Sequence, residues 1–258
     1  MNNSAICLLC VKPNKIHIDF FNSISNYKLF MLCDDNNCNT DNIDNNTNIE
    51  FIKIDDNQCF NNGFKNSNCC VEKNPSAWDK VFYYFAKINS HKYDYVWILE
   101  DDVFVPNNNA FCNLDNKYGH ADLLCRSNIC NSSINELQLW SSANNKYDFP
   151  WYCSMMCCCR ISNKLFEEIG KYVEEKGELF FIETMINTIA NHKKLVVKEV
   201  EEFENIIAKA SVGNRYRHFS NGKIIWMTKS IPNLKENYIY HPVKNIELQE
   251  QYRIKIKK

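Results

Sequence analysis

A chain of 258 residues that is 45% hydrophobic and 24% charged carries enough apolar material for a sizeable core. Its formal net charge of -1 excludes a nucleic-acid binder that works through a broad basic surface. Lys and Arg concentrate only near the end, at Arg253, Lys255, Lys257 and Lys258, which reads as a solvated tail. The opening Met1-Asn2-Asn3-Ser4 lacks the basic and long apolar regions of a secretory leader. No segment reaches the ~20 apolar residues of a membrane span, so a cytoplasmic protein is expected.

Residues 4–11 predict a buried strand, and Lys12-Pro13-Asn14 a turn into a helix that reaches about residue 27. Residues 28–33 form a second apolar run that ends at Asp34-Asp35. After an Asn/Asp-rich loop, residues 49–54 predict a third strand, ending at Asp55-Asp56, and 57–74 read as a polar loop. Asn74-Pro75-Ser76 opens a helix in which Trp78, Val81, Phe82, Phe85 and Ile88 recur at helical spacing. Residues 93–106 then run apolar into three acids, Glu100-Asp101-Asp102, followed by three apolar residues and Pro106.

Beyond a loop, residues 121–126 predict a short strand and 127–150 a polar, aromatic stretch. Residues 153–161 predict a strand, Ser162 caps a helix to about residue 175, and 178–192 is a second amphipathic helix. Residues 195–200 and 222–228 are late strand-like segments. Strands alternating with helices imply an α/β fold with a mostly parallel central sheet flanked by helices, continued by a mixed α+β half. No linker marks a boundary, so 1–258 is expected to form a single domain.

The 14 cysteines invite a disulfide or zinc framework, but their positions argue against both. Cys7, Cys10 and Cys33 lie in apolar strands, and Cys157-Cys158-Cys159 alternate across one, where free thiols pack as small hydrophobes. Cys7-x-x-Cys10 lacks a second pair at zinc-ribbon distance. Buried reduced thiols are expected, with Cys38, Cys59, Cys69 and Cys70, in a polar region, the positions most open to exception. The N-x-S/T matches at Asn2, Asn45 and Asn131 carry little weight in so Asn-rich a chain.

Glu100-Asp101-Asp102 poses an electrostatic problem. Clustered carboxylates at the end of a buried strand repel one another and lose hydration, and a divalent cation resolves the conflict. The carboxyl end of a parallel strand is also where open α/β sheets place ligands. Neither G-x-G-x-x-G nor G-x-x-x-x-G-K-[ST] is present, so a phosphate ligand would depend on the metal instead.

Residues 93–106, preceded by the Pro75-Ser76-Ala77-Trp78-Asp79-Lys80 helix, resemble the strand and D-x-D element of the GT-A nucleotide-sugar glycosyltransferases. They resemble particularly the versions found in large DNA viruses and some algae. The resemblance implies a GT-A-like domain, 1–126 binding the nucleotide-sugar and 127–258 the acceptor. It implies Mn²⁺ or Mg²⁺, a nucleoside diphosphate sugar donor with a UDP-sugar favoured, and a glycan, protein or lipid acceptor. The setting would be host cytoplasm if the chain is viral.

By the same resemblance, Asp102 matches the last acid, a direct metal ligand, and Glu100 the first, with one methylene more than the usual Asp. Asp101 holds the middle position, and Asp34 or Asp35 matches the nucleoside contact. His241 resembles a late histidine that ligates the metal, and Lys244 supplies a nearby cation for a phosphate. Each has a plainer alternative: Asp34-Asp35 and Asp55-Asp56 as solvated strand ends, the latter preferred, and His241 as a structural or surface residue. Lys80 either reaches toward the nucleotide or, the preferred reading, is a helix surface charge. Glu183 resembles the general base of inverting members; it also reads as an exposed acid outside the apolar stripe Leu179, Ile182, Ile186 and Ile189. Trp140, Tyr147, Trp151 and Tyr152 either stack on an acceptor sugar or pack a loop. Two other functions stay open: a non-catalytic sugar-nucleotide or glycan-binding protein, and a metal-dependent nucleotidyltransferase.

Overall fold

Alternate residues of the first strand, β1 (Ser4–Cys10), feed two separate cores: Ala5, Cys7 and Leu9 on one face, Ile6 and Leu8 on the other. A strand buried on both faces must lie inside a sheet covered by helices on either side. The computed structural model describes residues 3–40, 47–68, 71–131, 142–206 and 234–256. In it β1 pairs in parallel with β2 (Lys28–Cys33), which pairs in parallel with β3 (Ile49–Ile52). The chain then crosses back, and β4 (Tyr95–Glu100) joins the free side of β1, again in parallel.

The sheet is completed by β5 (Leu123–Cys125), β8 (Cys158–Ser162) and β9 (Val197–Glu199), in the order β3-β2-β1-β4-β8-β5-β9. Only β8 runs against its neighbours, so β1 to β5 and β9 present their carboxyl ends at one edge. The reversal of strand order lies between β1 and β4. Two small ladders stand outside the sheet: β6 (Ile129–Cys130) with β7 (Tyr152–Cys153), and β10 (Asn205–Ile206) with β11 (Tyr240–His241).

Seven α-helices occur among the described residues: α1 (Lys15–Asn22), α2 (Asp56–Asn61), α3 (Ala77–Tyr83, continued by a π turn to Ile88), α4 (Ala110–Lys117), α5 (Asn163–Lys176), α6 (Ile182–His192) and α7 (Ile246–Ile256). Apolar residues of α3, α5 and α6 build one core; those of α1 and α4 build the other. None of these helices is long and apolar enough to cross a membrane. The expected α/β class with a mostly parallel sheet is observed.

The differences from expectation have local causes. α1 stops at Asn22, because Ser23 turns its hydroxyl onto Phe20 O at 2.6 Å and Asn26 adopts a φ of 70°. The supposed loop after β3 begins with α2, whose N-cap Asp55 accepts from Gln58 N at 2.8 Å. Asp55 and Asp56 are therefore a helix cap and first turn, not merely solvated strand ends. α4 occupies what reads as a loop, and the strand expected over 153–161 divides into β7 and β8. Arg253 belongs to no tail: it is 9% exposed, on α7. Residues 222–228, Asn2, Asn45, Cys69, Cys70, Trp140, Lys257 and Lys258 lie outside the described residues.

The described cysteines are all free; Cys38 and Cys59 are buried thiols like the strand cysteines. Asn131 is also buried.

Lys80 overturns its surface reading. Its side chain is wholly buried, with Nζ 2.6 Å from Asp56 Oδ1 and 3.4 Å from Asp34 Oδ1. It also donates to Asp34 O at 2.9 Å and Asn36 Oδ1 at 3.0 Å. Burial alone would lower its pKa, but Asp56 and Asp34 outweigh that and raise it above the ordinary lysine value. One ammonium thus ties the end of β2 and the first turn of α2 to α3. Replacing it removes the close ammonium partner of Asp56, which keeps some water, and leaves Asp34 to Lys73 alone among the described residues. Lys80→Met is expected to cost about 2–4 kcal/mol of unfolding free energy, read from urea denaturation.

Candidate metal centre

β4 delivers Glu100 to the carboxyl edge opposite Leu9 of β1, beside the point where the strand order reverses. Side chains alternate along a strand, so Glu100 points to the face that Val96 and Ile98 share with α3. There Trp78 Nε1 donates to Glu100 Oε1 at 2.8 Å. The ladder ends here: Val103 N donates back to Glu100 O at 3.0 Å, putting Asp101 and Asp102 at the corner of a turn.

The next residues pair with a segment from the far end of the chain. Phe104 and Tyr240 exchange backbone bonds of 2.8 and 3.0 Å, and Val243 N donates to Asp102 O at 2.6 Å. This fixes His241 over the acids. Its Nε2 lies 3.3 Å from Asp102 Oδ1 and 4.0 Å from Glu100 Oε2, and the residue is 4% exposed. The surface-histidine reading does not hold. Lys244 Nζ stands 3.4 Å from Asp102 Oδ2, and Asp101, Asp102, Lys244 and Ile246 line a small cleft beside it.

α7 clamps the arrangement from beneath. Gln249, fully buried, donates to both Asp101 O and Val243 O at 3.0 Å. Arg253 donates to Val105 O at 3.0 Å and to Gln249 Oε1 at 3.1 Å. His17 of α1 is buried in the same region, where desolvation and then the Arg253 charge lower its pKa to about 4. The sequence singles out neither Gln249 nor His17, and Arg253 only as a tail charge. Gln249 and Arg253 are one helical turn apart, but in a chain end rich in charge that spacing does not stand out.

Electrostatics divide the acids. Burial, then the negative charge of Asp102, raises the pKa of Glu100 and of Asp101 from their ordinary values. Asp102 feels burial too, but His241 and Lys244 outweigh it and hold its pKa down. Among the described residues, Asp102 Oδ1 is nevertheless buried without a well-formed hydrogen bond, and His241 approaches it as an ion-pair partner. One ligand atom each from Glu100, Asp102 and His241 lie within 4.8 Å of one another. Two carboxylate oxygens and an imidazole nitrogen, one oxygen lacking a hydrogen bond, form a donor set that fits a divalent cation.

Glu183 sits in the first turn of α6 and is partly buried, which removes the exposed-acid reading. Burial, then the charge of Glu100, raises its pKa to about 7, against an opposing pull from His241. The second carboxyl end is set apart from this group. Asp34 and Asp35 follow β2, on the other side of β1, two strand spacings or about 10 Å from β4. Lys73 and Lys80 hold the Asp34 carboxylate at 2.9 and 3.4 Å, and Lys12 approaches Asp35 at 3.5 Å. Tyr147 packs against Tyr172, Phe180 and His192, and buried Trp151 donates to Tyr147 O at 2.9 Å. These two rings pack the loop; Tyr152, on β7, is partly exposed.

No protein-family model matches the chain, and no curated protein matches it at a significant level.

Glu183 has a folded pKa of about 7 against an ordinary 4.5. The folded state therefore holds its proton over that interval, and stability falls as pH rises through it. In the presence of a chelator, Glu183→Gln is expected to melt about 2–5 °C higher than the parent at pH 8. The gap should close as the pH falls toward 4.5, where both side chains are neutral.

Proposed function

We propose that this chain is a metal-dependent glycosyltransferase of the GT-A type. It would move a sugar from a nucleoside diphosphate donor, a UDP-sugar in the favoured case, to a hydroxyl of a glycan, protein or lipid. The observation that carries the reading is the meeting of Glu100, Asp102 and His241, from distant parts of the chain, at the switch point of a parallel sheet. The resemblance of residues 75–106 to the D-x-D element supports it.

Glu100, Asp102 and His241 would hold Mn²⁺ or Mg²⁺, which when bound counters the charge of the departing diphosphate. Lys244, whose side chain is 57% exposed, would pair with a phosphate oxygen. The Asp34-Asp35 edge would meet the nucleoside, with Lys73 and Lys80 fixing Asp34 from behind. If the reaction inverts, Glu183 takes the proton of the acceptor hydroxyl as that oxygen bonds to the anomeric carbon. The bond from that carbon to the diphosphate oxygen breaks in the same step.

Incubation with a donor panel and Mn²⁺ is expected to release a nucleoside diphosphate. Asp102→Ala should cut that release at least about 100-fold with the thermal unfolding midpoint retained. Full activity in the variant overturns the assignment. Metal-dependent donor binding without turnover would indicate a binding protein, and pyrophosphate released from a nucleoside triphosphate a nucleotidyltransferase. In an inverting enzyme kcat/KM should fall about tenfold per pH unit below the Glu183 pKa, which is about 7 in the metal-free chain and lower once a cation counters the Glu100 charge. Glu183→Gln should abolish that limb.

A further inference from the structure

Glu100 has two carboxylate oxygens with different surroundings. Oε1 accepts the indole N–H of Trp78 at 2.8 Å, while Oε2 is the atom that faces His241 Nε2, at 4.0 Å. Trp78 is 2% exposed and packs on Phe82 with ring centroids 6.0 Å apart. Its own position is rigidly set. The neighbouring Asp79 carboxylate, 1% exposed, accepts from Ser76 N and Ser76 Oγ at 2.7 Å and from Ser67 N at 2.8 Å. That fixes the first turn of α3, and with it the indole.

From this geometry we infer that Trp78 is the positioning residue of the metal centre, fixing the Glu100 rotamer so that Oε2 is the ligand atom. The inference rests on the metal-centre reading above. A carboxylate beside Asp102 with no fixed partner is free to swing its oxygens away from the neighbouring charge. An N–H donated to one of its oxygens opposes that, because it removes the side chain's rotational freedom and leaves the other oxygen toward His241. The length of the side chain is part of the device. An aspartate at position 100 ends about 1.5 Å short. It could not keep one oxygen on the Trp78 indole and the other toward His241 without moving β4 or α3. The methylene by which Glu100 departs from the D-x-D pattern thus has a local reason in this chain.

The experiment measures Mn²⁺ affinity of the full chain, without nucleotide, from the electron paramagnetic resonance signal of free Mn²⁺. The variants are Trp78→Phe, Glu100→Ala, the double variant and Asp102→Ala. A further protein carries benzothienylalanine at position 78, which keeps the ring shape and lacks the N–H. Trp78→Phe and the isostere are expected to weaken Mn²⁺ binding about 10–100-fold, with the unfolding midpoint of the isostere retained. In the Glu100→Ala background, removing the indole N–H should produce no further loss. Unchanged affinity in the isostere, while the parent binds Mn²⁺ and Asp102→Ala does not, overturns the inference and leaves the metal centre standing. An equal loss in both backgrounds also overturns it, since the ring would then act through packing rather than through Glu100. A parent chain that binds no Mn²⁺ overturns the metal centre and this inference together.

Discussion

The carboxylates of Glu100 and Asp102 are held together where water is scarce, and burial alone pushes both toward protonation. Left uncompensated, that pair would be expensive at the end of a strand whose other residues are nearly all apolar. The rest of the edge is arranged to make it tolerable. Backbone bonds from Phe104 and Asp102 capture a segment more than a hundred residues away, which brings His241 and Lys244 to Asp102. Gln249 and Arg253 then tie that segment down through carbonyls on both sides. α7 thus acts as a structural brace for the turn that carries Asp101 and Asp102.

α3 performs the corresponding task on the opposite side, with three consecutive residues. Trp78 holds an oxygen of Glu100, Asp79 closes the first turn of its own helix, and Lys80 reaches the end of β2 and the first turn of α2. On a helix these residues point in different directions, about 100° apart, which is why adjacent positions can serve different elements. Lys80 illustrates the cost of such a tie. An ammonium with no exposed surface is stable only because Asp34, Asn36 and Asp56 converge on it.

Those two braces also mark the limit of what could be read from the sequence. The alternation of strand and helix in the first half, and the acids that follow β2 and end β4, follow from local patterns of apolar and polar residues, and the sheet has that form. His241 could be proposed as a partner of the acids only by resemblance, since no local pattern connects residue 241 with residue 100. Lys80 was misjudged because a charged residue in an amphipathic helix is ordinarily solvated, and periodicity says which face is buried without saying what waits there. Asp56 is the other half of the same error: a strand-end acid looks solvated until the lysine opposite it is known.

Glu183 shows how a small shift of an element changes a chemical reading. A helix begun at residue 178 would place Glu183 in its second turn, outside the apolar stripe and open to solvent. The chain instead stays irregular through Phe181, with Leu179 N donating to Lys65 O at 3.0 Å and Ile182 N to Ser67 O at 2.8 Å. These bonds hold residues 178–182 against the loop that precedes α3, so α6 starts at Ile182 and Glu183 falls in its first turn. A carboxylate there gains from the positive end of the helix, which favours ionisation. Burial and the nearby Glu100 charge prevail over that gain, and the pKa still rises to about 7. The loop that sets this helix start also supplies Ser67 N to the Asp79 carboxylate. One short backbone segment therefore fixes both Glu183 and the turn that carries Trp78.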